Sequence, residues 1–374
     1  MFRESLRDFL NKEVKGNIDK WESDRKIPRD IWKKMGDQGF LGLTYPEKYG
    51  GFDLDFFFEV ILFEEMSKMN SGGFVITQQV VQCMSSPYIL KYGSEELKEK
   101  YLPGIISGDL IGCIGITEPD AGSDVKSIKT KAENKGDHYL LNGSKTFITN
   151  GVYGDFVVTV AKTDSNAGAK GISLIVVDLN SKGINRTKID KLGWHASDTA
   201  EISFDNVKVP KENLIGEEGK GFKYILTGLN AERILIAAEC IGDGYWFTDK
   251  VTSYVNEREV FGRPIGQNQG VQFPIAEAYI EIEAANLMRY QSSYLYDADL
   301  PCAAEANMAK YLAAKASWEA ANACIQFHGG FGFAHEYDIE RKFRETRLYQ
   351  VAPISTNLIL SYIAEHVLGM PRSF

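Results

Sequence analysis

Two polar segments in the middle of the chain combine small residues with hydroxyl side chains. They read ITEPDAGSD over Ile116–Asp124 and LNGSKTFITNG over Leu141–Gly151. Small residues leave backbone N–H groups open to close approach, and Ser123 adds a hydroxyl, so the pair suits a phosphate or the edge of a flavin ring. Both segments could equally be polar turns that flank strands, and the residue types alone leave the two interpretations open.

The hydrophobic pattern around these segments divides the chain into three regions. In the opening stretch, apolar residues from Phe2 to Val14 recur on one face of a helix. The middle has short β-branched runs separated by Gly, Asn and Asp turns, and long Ala-rich helical stretches follow it. We expect an α+β fold with an N-terminal helical domain over 1–110, a middle antiparallel β-barrel domain over 111–215 and a C-terminal four-helix bundle over 216–374.

Charge and cysteine usage exclude several classes of protein. A net charge of −9 argues against a nucleic-acid partner. The five cysteines are scattered without a CxxC pair, so we expect buried thiols and neither a disulfide framework nor a metal site. The charged amphipathic N-terminus is unlike a signal peptide, and no uncharged stretch is long enough to cross a bilayer. We expect a soluble protein of the bacterial cytoplasm, with the mitochondrial matrix the less favoured compartment.

Five ordered segments resemble the signatures of the acyl-CoA dehydrogenase family. The two polar segments above are the first two of the five. The other three follow at the expected separations: EREVFG over Glu257–Gly262, QFHGGFG over Gln326–Gly332 and ERKFRETRLY over Glu340–Tyr349. The resemblance covers essentially the whole chain. It implies the fold described above, bound FAD, an acyl-CoA substrate, and FAD sites shared between the subunits of a homo-oligomer, commonly a tetramer.

The resemblance also assigns flavin contacts in the two polar segments. Thr117 and Thr149 match the groups that face the reactive edge of the flavin. Phe147 stands where many members have a Trp against the ring, and Phe retains the stacking but loses the indole donor. Ser123 matches a residue that contacts the pyrophosphate of FAD or the CoA of the substrate.

Other implied contacts lie in the C-terminal region. Some residues match positions at which one subunit reaches the FAD held by its neighbour: Arg258, Gln269, Gln326, Gly329 and Gly330. Without the resemblance, Arg258 would be interpreted as a solvated helix charge. The FAD positions implied by the resemblance are Ile116, Thr117, Ser123, Phe147, Ile148, Thr149, Arg258, Phe261, Gln269, Gln326, Gly329, Gly330, Ser355 and Asn357.

The family reaction needs a carboxylate base that removes the α-proton of the thioester while hydride leaves the β-carbon for the flavin. Most members carry that Glu shortly after the motif that ends here at Tyr349, where this chain has Pro353. The isovaleryl- and long-chain types carry it in a Glu-Arg pair on an earlier helix, which is Glu232 and Arg233 here. Glu232 is therefore the predicted base, and Asn230 and Arg233 are predicted substrate contacts.

A structural role for Glu232 stays open at this point. A Glu in the first turn of a helix that follows an Asn cap is what capping and helix-dipole preferences produce. The interpretation as a base depends on the family placement, since capping alone explains the local residue pattern.

The segment around Pro353 departs from the family pattern in two ways. Proline has no N–H, so the usual backbone donor to the thioester carbonyl is missing, and the amide of Ile354 is the candidate replacement. Ile354 also replaces a Gly near the flavin, which narrows the pocket and favours short or branched acyl groups. The predicted substrate contacts are Ser123, Asn230, Arg233, Pro353 and Ile354.

Three functions remain in competition. The leading one is α,β-dehydrogenation of an acyl-CoA, with electrons passed to an electron-transfer flavoprotein. The second is the same fold with altered chemistry, either a flavin monooxygenase or an elimination or desulfination on a CoA ester. Relatives that are monooxygenases typically lack both Glu positions, so Glu232 separates these two. The third is a catalytically silent scaffold, against which the intact flavin signature argues.

Overall fold

The computed structural model describes residues 1–373, and its N-terminal part is helical. Leu6, Leu10 and Val14 lie fully buried on one face of the opening helix, as the apolar spacing predicts. The helices of this part are α1 Phe2–Phe9, α2 Ile18–Asp24, α3 Arg29–Asp37, α4 Phe56–Ser67, α5 Gly72–Gln79, α6 Ser86–Tyr92 and α7 Glu95–Ile106.

Helices α5 and α6 are parts of one longer helix whose winding changes in the middle. The π-helical segment Val80–Ser85 joins them. Ser71 caps the start of this helix, because its hydroxyl accepts a hydrogen bond from the Phe74 N–H (3.2 Å). Insertions of this kind are rare and concentrate at functional sites. This one carries Gln82 and Cys83 to the wall of a cavity.

Eight strands follow and form one sheet. They are β1 Gly112–Gly115, β2 Lys131–Asn134, β3 His138–Thr149, β4 Phe156–Lys162, β5 Ile172–Asp178, β6 Ile184–Lys188, β7 Thr199–Pro210 and β8 Leu214–Ile215. Their order along the sheet is β6-β7-β3-β2-β4-β5-β8, with β1 paired to β4.

The strand directions correct the sequence prediction in part. The long pairs β3–β7 and β4–β5 are antiparallel, as predicted. However, β1 and β2 both pair with β4 in parallel. The chain between each of these strands and β4 is long enough for the crossover that parallel pairing requires, and residue types do not reveal it.

The C-terminal part is helical again, apart from a short hairpin after its first helix. Helices α8, α9 and α10 pack side by side, with α11 against α8 and α10. The elements are α8 Gly221–Glu257, β9 Glu259–Val260, β10 Arg263–Pro264, α9 Gln269–Asp297, α10 Ala303–His328, α11 Ile339–Thr346 and α12 Thr356–Tyr362.

A buried carboxylate connects the three parts of the chain. Glu345 on α11 accepts hydrogen bonds from the backbone N–H of Gly72 (3.0 Å) and from that of Trp194 (3.2 Å). One contact lies in the N-terminal helices and the other in the loop between β6 and β7. Glu345 therefore contacts all three parts of the chain, and the domain boundaries remain a prediction.

All five cysteines are buried and unpaired, as their scattered spacing predicts. Within residues 1–373, no helix combines the length and the apolar character that a bilayer crossing requires.

Candidate active site

Glu232 lies well inside α8, and this corrects the capping interpretation. The helix begins at Gly221, so Glu232 is about three turns from its start. The residue before the helix is Lys220, and it makes no side-chain capping hydrogen bond. Asn230 is therefore not a helix cap, and neither capping nor the N-terminal dipole explains a carboxylate at position 232.

The carboxylate of Glu232 is buried and has a specific hydrogen-bond partner. The Tyr88 hydroxyl donates to its Oε1 (3.1 Å). Space for that hydroxyl exists because residue 228, one turn before Glu232, is a glycine: a Cβ at Gly228 would lie 2.4 Å from the Tyr88 hydroxyl oxygen. Sequence reasoning missed Tyr88, which is 144 residues from Glu232 along the chain.

Burial raises the pKa of Glu232 to about 7. The hydrogen bond from Tyr88 and the charge of Arg233 act in the opposite direction and lower it. A carboxyl group whose pKa lies near neutrality can hold or release a proton at physiological pH, which is the property that a general base needs.

A cavity of about 290 Å³ lies beside this pair. Tyr88, Gly228 and Ala231 contribute to its wall, so it borders the hydrogen-bond partner of Glu232 and the residues that precede Glu232 in α8. Its volume is close to the lower end for small-molecule pockets, about 300 Å³. The cavity can take a small organic group next to the carboxylate.

Arg233 and Asn230 lie near the same carboxylate. The Arg233 guanidinium donates from Nη1 to the Asn230 Oδ1 (3.2 Å). Its Nε is buried and has no hydrogen-bond partner within residues 1–373. Since an unpaired buried donor is costly, this N–H is available to a bound acceptor.

The two polar segments come together at the edge of the sheet. The Thr146 N–H donates to the carbonyl of Thr117 (2.9 Å), and the buried Lys145 ammonium donates to that of Ile116 (3.0 Å). The pairing of β3 with β7 is irregular between Lys145 and Ile148. Phe147 lies in this irregularity with φ 59° and is 68% exposed. A bulky residue in the left-handed region is strained, and such strain clusters at ligand sites.

The neighbouring predicted FAD contacts differ in whether their side chains can reach a ligand. Ile148 is buried in the sheet, so only its backbone can reach a ligand, whereas Thr149 is half-buried beside Thr199 of β7. Ser123 is exposed in the turn that follows the bridge between Glu118 and Ala121. An exposed aromatic ring beside threonines and a free serine fits the edge of a flavin and its phosphates.

A second set of predicted residues lies at the far end of α8. Arg258 follows that helix, and its guanidinium lies 5.9 Å from the centre of the Phe331 ring. Phe261, at the tip of the β9–β10 hairpin, is fully exposed. A Cβ on Gly329 or Gly330 would meet no atom within 4 Å. Gln269 and Gln326 are exposed as well.

The length of α8 separates these residues from Glu232. Arg258 comes twenty-six positions after Glu232, which at 1.5 Å per residue is roughly 40 Å along the helix axis. The structure therefore does not bring the two predicted groups together within one chain.

A buried lysine holds the segment in which Pro353 lies. The Lys310 ammonium is fully buried and donates hydrogen bonds to the backbone carbonyls of Tyr349 and Ile354 (2.8 Å for Ile354). Burial lowers the pKa of Lys310 to about 8. Sequence reasoning missed this residue, although it shares the buried face of α10 with Ala306 and Ala313.

Ser355 and Asn357 line an open groove of about 520 Å³. The Ser355 hydroxyl also caps α12 by accepting from the Leu358 N–H (3.4 Å). Lys315, Arg347 and Glu319 line the same groove, so its lining has two cations against one carboxylate. Such a groove suits a diphosphate, and the residues present thus fit FAD as the resemblance requires.

Comparison with known proteins agrees with this geometry. Three family models match in order: the acyl-CoA dehydrogenase N-terminal domain over 1–109, the middle domain over 113–207 and the C-terminal domain over 219–368. The chain is 38% identical to a glutaryl-CoA dehydrogenase of Desulfococcus multivorans, over 100% of this chain and 97% of that protein.

Solved structures give the same result. An acyl-CoA dehydrogenase from Geobacillus kaustophilus superposes with a TM-score of 0.96 at 38% identity, covering 98% of this chain and 97% of that one. PigA in complex with FAD and proline superposes with a TM-score of 0.94 at 26% identity, covering 99% and 97%. The chain therefore belongs to the acyl-CoA dehydrogenase family, the FAD-dependent enzymes that oxidise CoA esters.

Proposed function

We propose that this enzyme removes hydrogen from the α- and β-carbons of a short or branched acyl-CoA, with Glu232 as the base. One observation carries the proposal: Glu232 is buried next to a cavity, bonded to the Tyr88 hydroxyl. A substrate can reach a carboxylate that borders a cavity, whereas a carboxylate enclosed on all sides by the core has no access to an α-proton.

The reaction begins with the α-proton of the thioester, which is weakly acidic. Glu232 takes this proton on a carboxylate oxygen. The pKa of about 7 matches that task near neutral pH, because the base is ionised in a large fraction of molecules and is basic enough to accept the proton. Bound FAD supplies the acceptor for the hydride that leaves the β-carbon.

The thioester carbonyl needs hydrogen-bond donors as negative charge develops on its oxygen. Pro353 has no N–H to offer. The Ile354 amide is the candidate donor, and Lys310 fixes its position by binding the carbonyl of the same residue (2.8 Å). Arg233, with its unpaired Nε, is the proposed contact to the rest of the thioester.

FAD contacts are proposed to come from two subunits. Thr117, Phe147 and Thr149 would hold the flavin of their own chain, and Ser355 and Asn357 would face its diphosphate or adenosine part. Arg258 and the residues around it lie roughly 40 Å from Glu232, which supports a role at the neighbouring subunit's FAD.

An apolar stripe on α9 supports the oligomer that such sharing requires. Phe273, Ile280, Leu287 and Tyr294 recur every seven residues and are each more than half exposed. A seven-residue repeat of large apolar side chains is the pattern by which helices pack against one another. We propose a homotetramer of the bacterial cytoplasm that passes its electrons to an electron-transfer flavoprotein.

The missing donor at Pro353 favours a second function, the same fold with altered chemistry: a flavin monooxygenase, or an elimination or desulfination on a CoA ester. The proposal is tested by mixing the purified yellow protein, without oxygen, with a panel of acyl-CoAs from butyryl to palmitoyl. Dehydrogenation predicts rapid loss of the flavin colour with a short or branched ester and formation of the 2-enoyl product. A flavin that no thioester reduces would favour the second function, and faster turnover of palmitoyl-CoA would contradict the chain-length preference.

A further inference from the structure

The cavity beside Glu232 is polar along the wall formed by α4 and the π-helical segment. Glu59 of α4 and Gln82 of that segment both line it, and their side chains are 5% and 2% exposed. A plain hydrocarbon tail at this wall would cover polar atoms without giving them hydrogen bonds, which is unfavourable. The wall therefore calls for a polar group on the acyl tail.

Glu59 supplies an acceptor at this wall. The Thr44 hydroxyl donates to its Oε1 (2.7 Å), and its Oε2 lies 4.0 Å from the Cys83 thiol sulfur. Burial raises the pKa of Glu59 to about 7, and the Thr44 hydrogen bond opposes this. One of its oxygens thus has only a weak thiol partner.

Gln82 supplies a donor at the same wall. Its Oε1 accepts a hydrogen bond from the Gly42 N–H (3.2 Å), which orients the amide. The Nε2 group is buried and has no partner within residues 1–373. Glu59 and Gln82 thus line one cavity, and each has a polar atom that lacks a good partner, as a site that receives a polar ligand would.

This wall is close to the predicted base. Burial raises the pKa of the Cys83 thiol, and the charges of Glu59 and Glu232 raise it further. Tyr88 lines the cavity and donates to Glu232. A group bound at Glu59 could thus be carried on the same small molecule whose α-carbon faces Glu232.

The charges along the cavity wall indicate which polar group on the acyl tail would fit there. Glu59, Asp297 and Asp299 contribute carboxylates, and the cation among the lining residues is the exposed Lys91. An acyl group that ends in a carboxylate, as glutaryl does, would therefore meet repulsion. A hydroxyl both donates and accepts, which matches Glu59 and Gln82 together.

We infer that the acyl substrate carries a hydroxyl on its tail, which donates to Glu59 and accepts from the Gln82 amide. This inference rests on the proposed dehydrogenase function, because the hydroxyl belongs to the acyl group that Glu232 acts on. It makes Glu59 and Gln82 determinants of substrate specificity.

The test compares chain-matched esters on the FAD-loaded enzyme without oxygen: ω-hydroxybutyryl-CoA with butyryl-CoA, ω-hydroxyhexanoyl-CoA with hexanoyl-CoA, and adipoyl-CoA as the anionic case. The second-order rate constant of flavin reduction should favour one hydroxylated ester by about tenfold or more. Adipoyl-CoA should be the poorest substrate of its length. Binding of the same esters to Glu232→Gln, followed by the flavin spectrum, should show the same order.

Variants identify the residue responsible. Glu59→Leu should abolish the preference for the hydroxylated ester, and Glu59→Gln, which keeps the shape, should reduce it less. Asp299→Asn removes a carboxylate from the exposed part of the wall and should leave the ratio within about twofold of the wild type. Thermal melting of each variant verifies folding.

The outcomes separate the inference from the proposed function. Equal rates and equal affinities for the hydroxylated and plain esters would overturn the inference and leave the dehydrogenase intact, as would a preference that survives Glu59→Leu. A preference in binding with no flavin reduction by any ester would overturn the proposed function instead.

Discussion

The hydrogen bond from Tyr88 to Glu232 makes a quantitative prediction about the pH dependence of catalysis. Tyr88→Phe removes one oxygen and leaves the ring that lines the cavity. A hydrogen bond to a charged group is worth about 1.5–3 kcal/mol, and each 1.36 kcal/mol corresponds to about one pH unit. Losing the donor removes stabilisation from the carboxylate form and therefore raises the pKa of Glu232. The acid limb of the rate profile should move about one to two pH units upward.

The assay is the second-order rate constant of flavin reduction at low acyl-CoA concentration, which reports the ionisation of the free enzyme. It is measured anaerobically between pH 6 and 10, because the pKa of Glu232 is about 7. The variant should lose about tenfold or more at neutral pH and recover at high pH, since the base must be ionised. Tyr92→Phe is the matched control, because Tyr92 lines the same cavity but bonds the Thr227 hydroxyl (2.7 Å). An acid limb that stays in place for Tyr88→Phe, or moves equally in the control, would refute the reasoning.

Three further predictions concern neighbouring residues. Gly228→Ala places a Cβ 2.4 Å from the Tyr88 hydroxyl oxygen, so it should shift the same acid limb and lower the melting temperature; an unshifted limb would contradict the close packing. Lys310→Met removes both hydrogen bonds to the Tyr349–Ile354 segment and should slow flavin reduction about tenfold with a smaller change in acyl-CoA affinity, whereas an unchanged rate would rule out a positioning role. In the wild type, the pKa of Glu232 is raised to about 7 in the folded protein. Ionising this buried carboxyl therefore lowers the unfolding free energy above about pH 7 and has no effect below about pH 4.5. The Glu232→Gln variant has no such charge to bury. The variant should therefore gain up to about 3 kcal/mol of unfolding free energy at pH 8 and little at pH 4.5 in urea titrations, and equal gains at both values would contradict the burial of the charge.

Much of the fold could be predicted because local patterns decide it. The β-branched run Ile172–Val177 lies within β5, and the stretch Ala303–Phe327 lies within α10, because alternation and three- to four-residue spacing report directly on buried faces. The parallel pairings of β1 and β2 with β4 could not be predicted, since they depend on where long connections return.

The start of α8 shows how a local signal can mislead. Asn230 before Glu232 has the residue types of a helix start, and Gly228 lowers helix propensity just upstream. Packing overrides this, because Gly228 makes room for Tyr88, and the helix runs back to Gly221.

The site itself could be predicted only in part. Family motifs name Glu232 and the residues of the two polar segments, but they do not name the partners that tune them. Tyr88 and Glu59 come from other helices, and their contact with the site depends on tertiary packing. Lys310 could have been noticed in the sequence, because it is a lysine among small apolar residues on one face of α10.

The measurement that tests the central claim most directly is the anaerobic reduction of flavin by the best acyl-CoA in Glu232→Gln. Glu239→Gln is the matched control, because Glu239 is a buried carboxylate two turns later on α8 whose partner is the Tyr349 hydroxyl (3.0 Å). If Glu232 is the base, its variant binds the ester, shifts the flavin spectrum and loses at least about a thousandfold in rate, while the control stays within about tenfold of the wild type. Undiminished flavin reduction by Glu232→Gln would show that another group removes the α-proton.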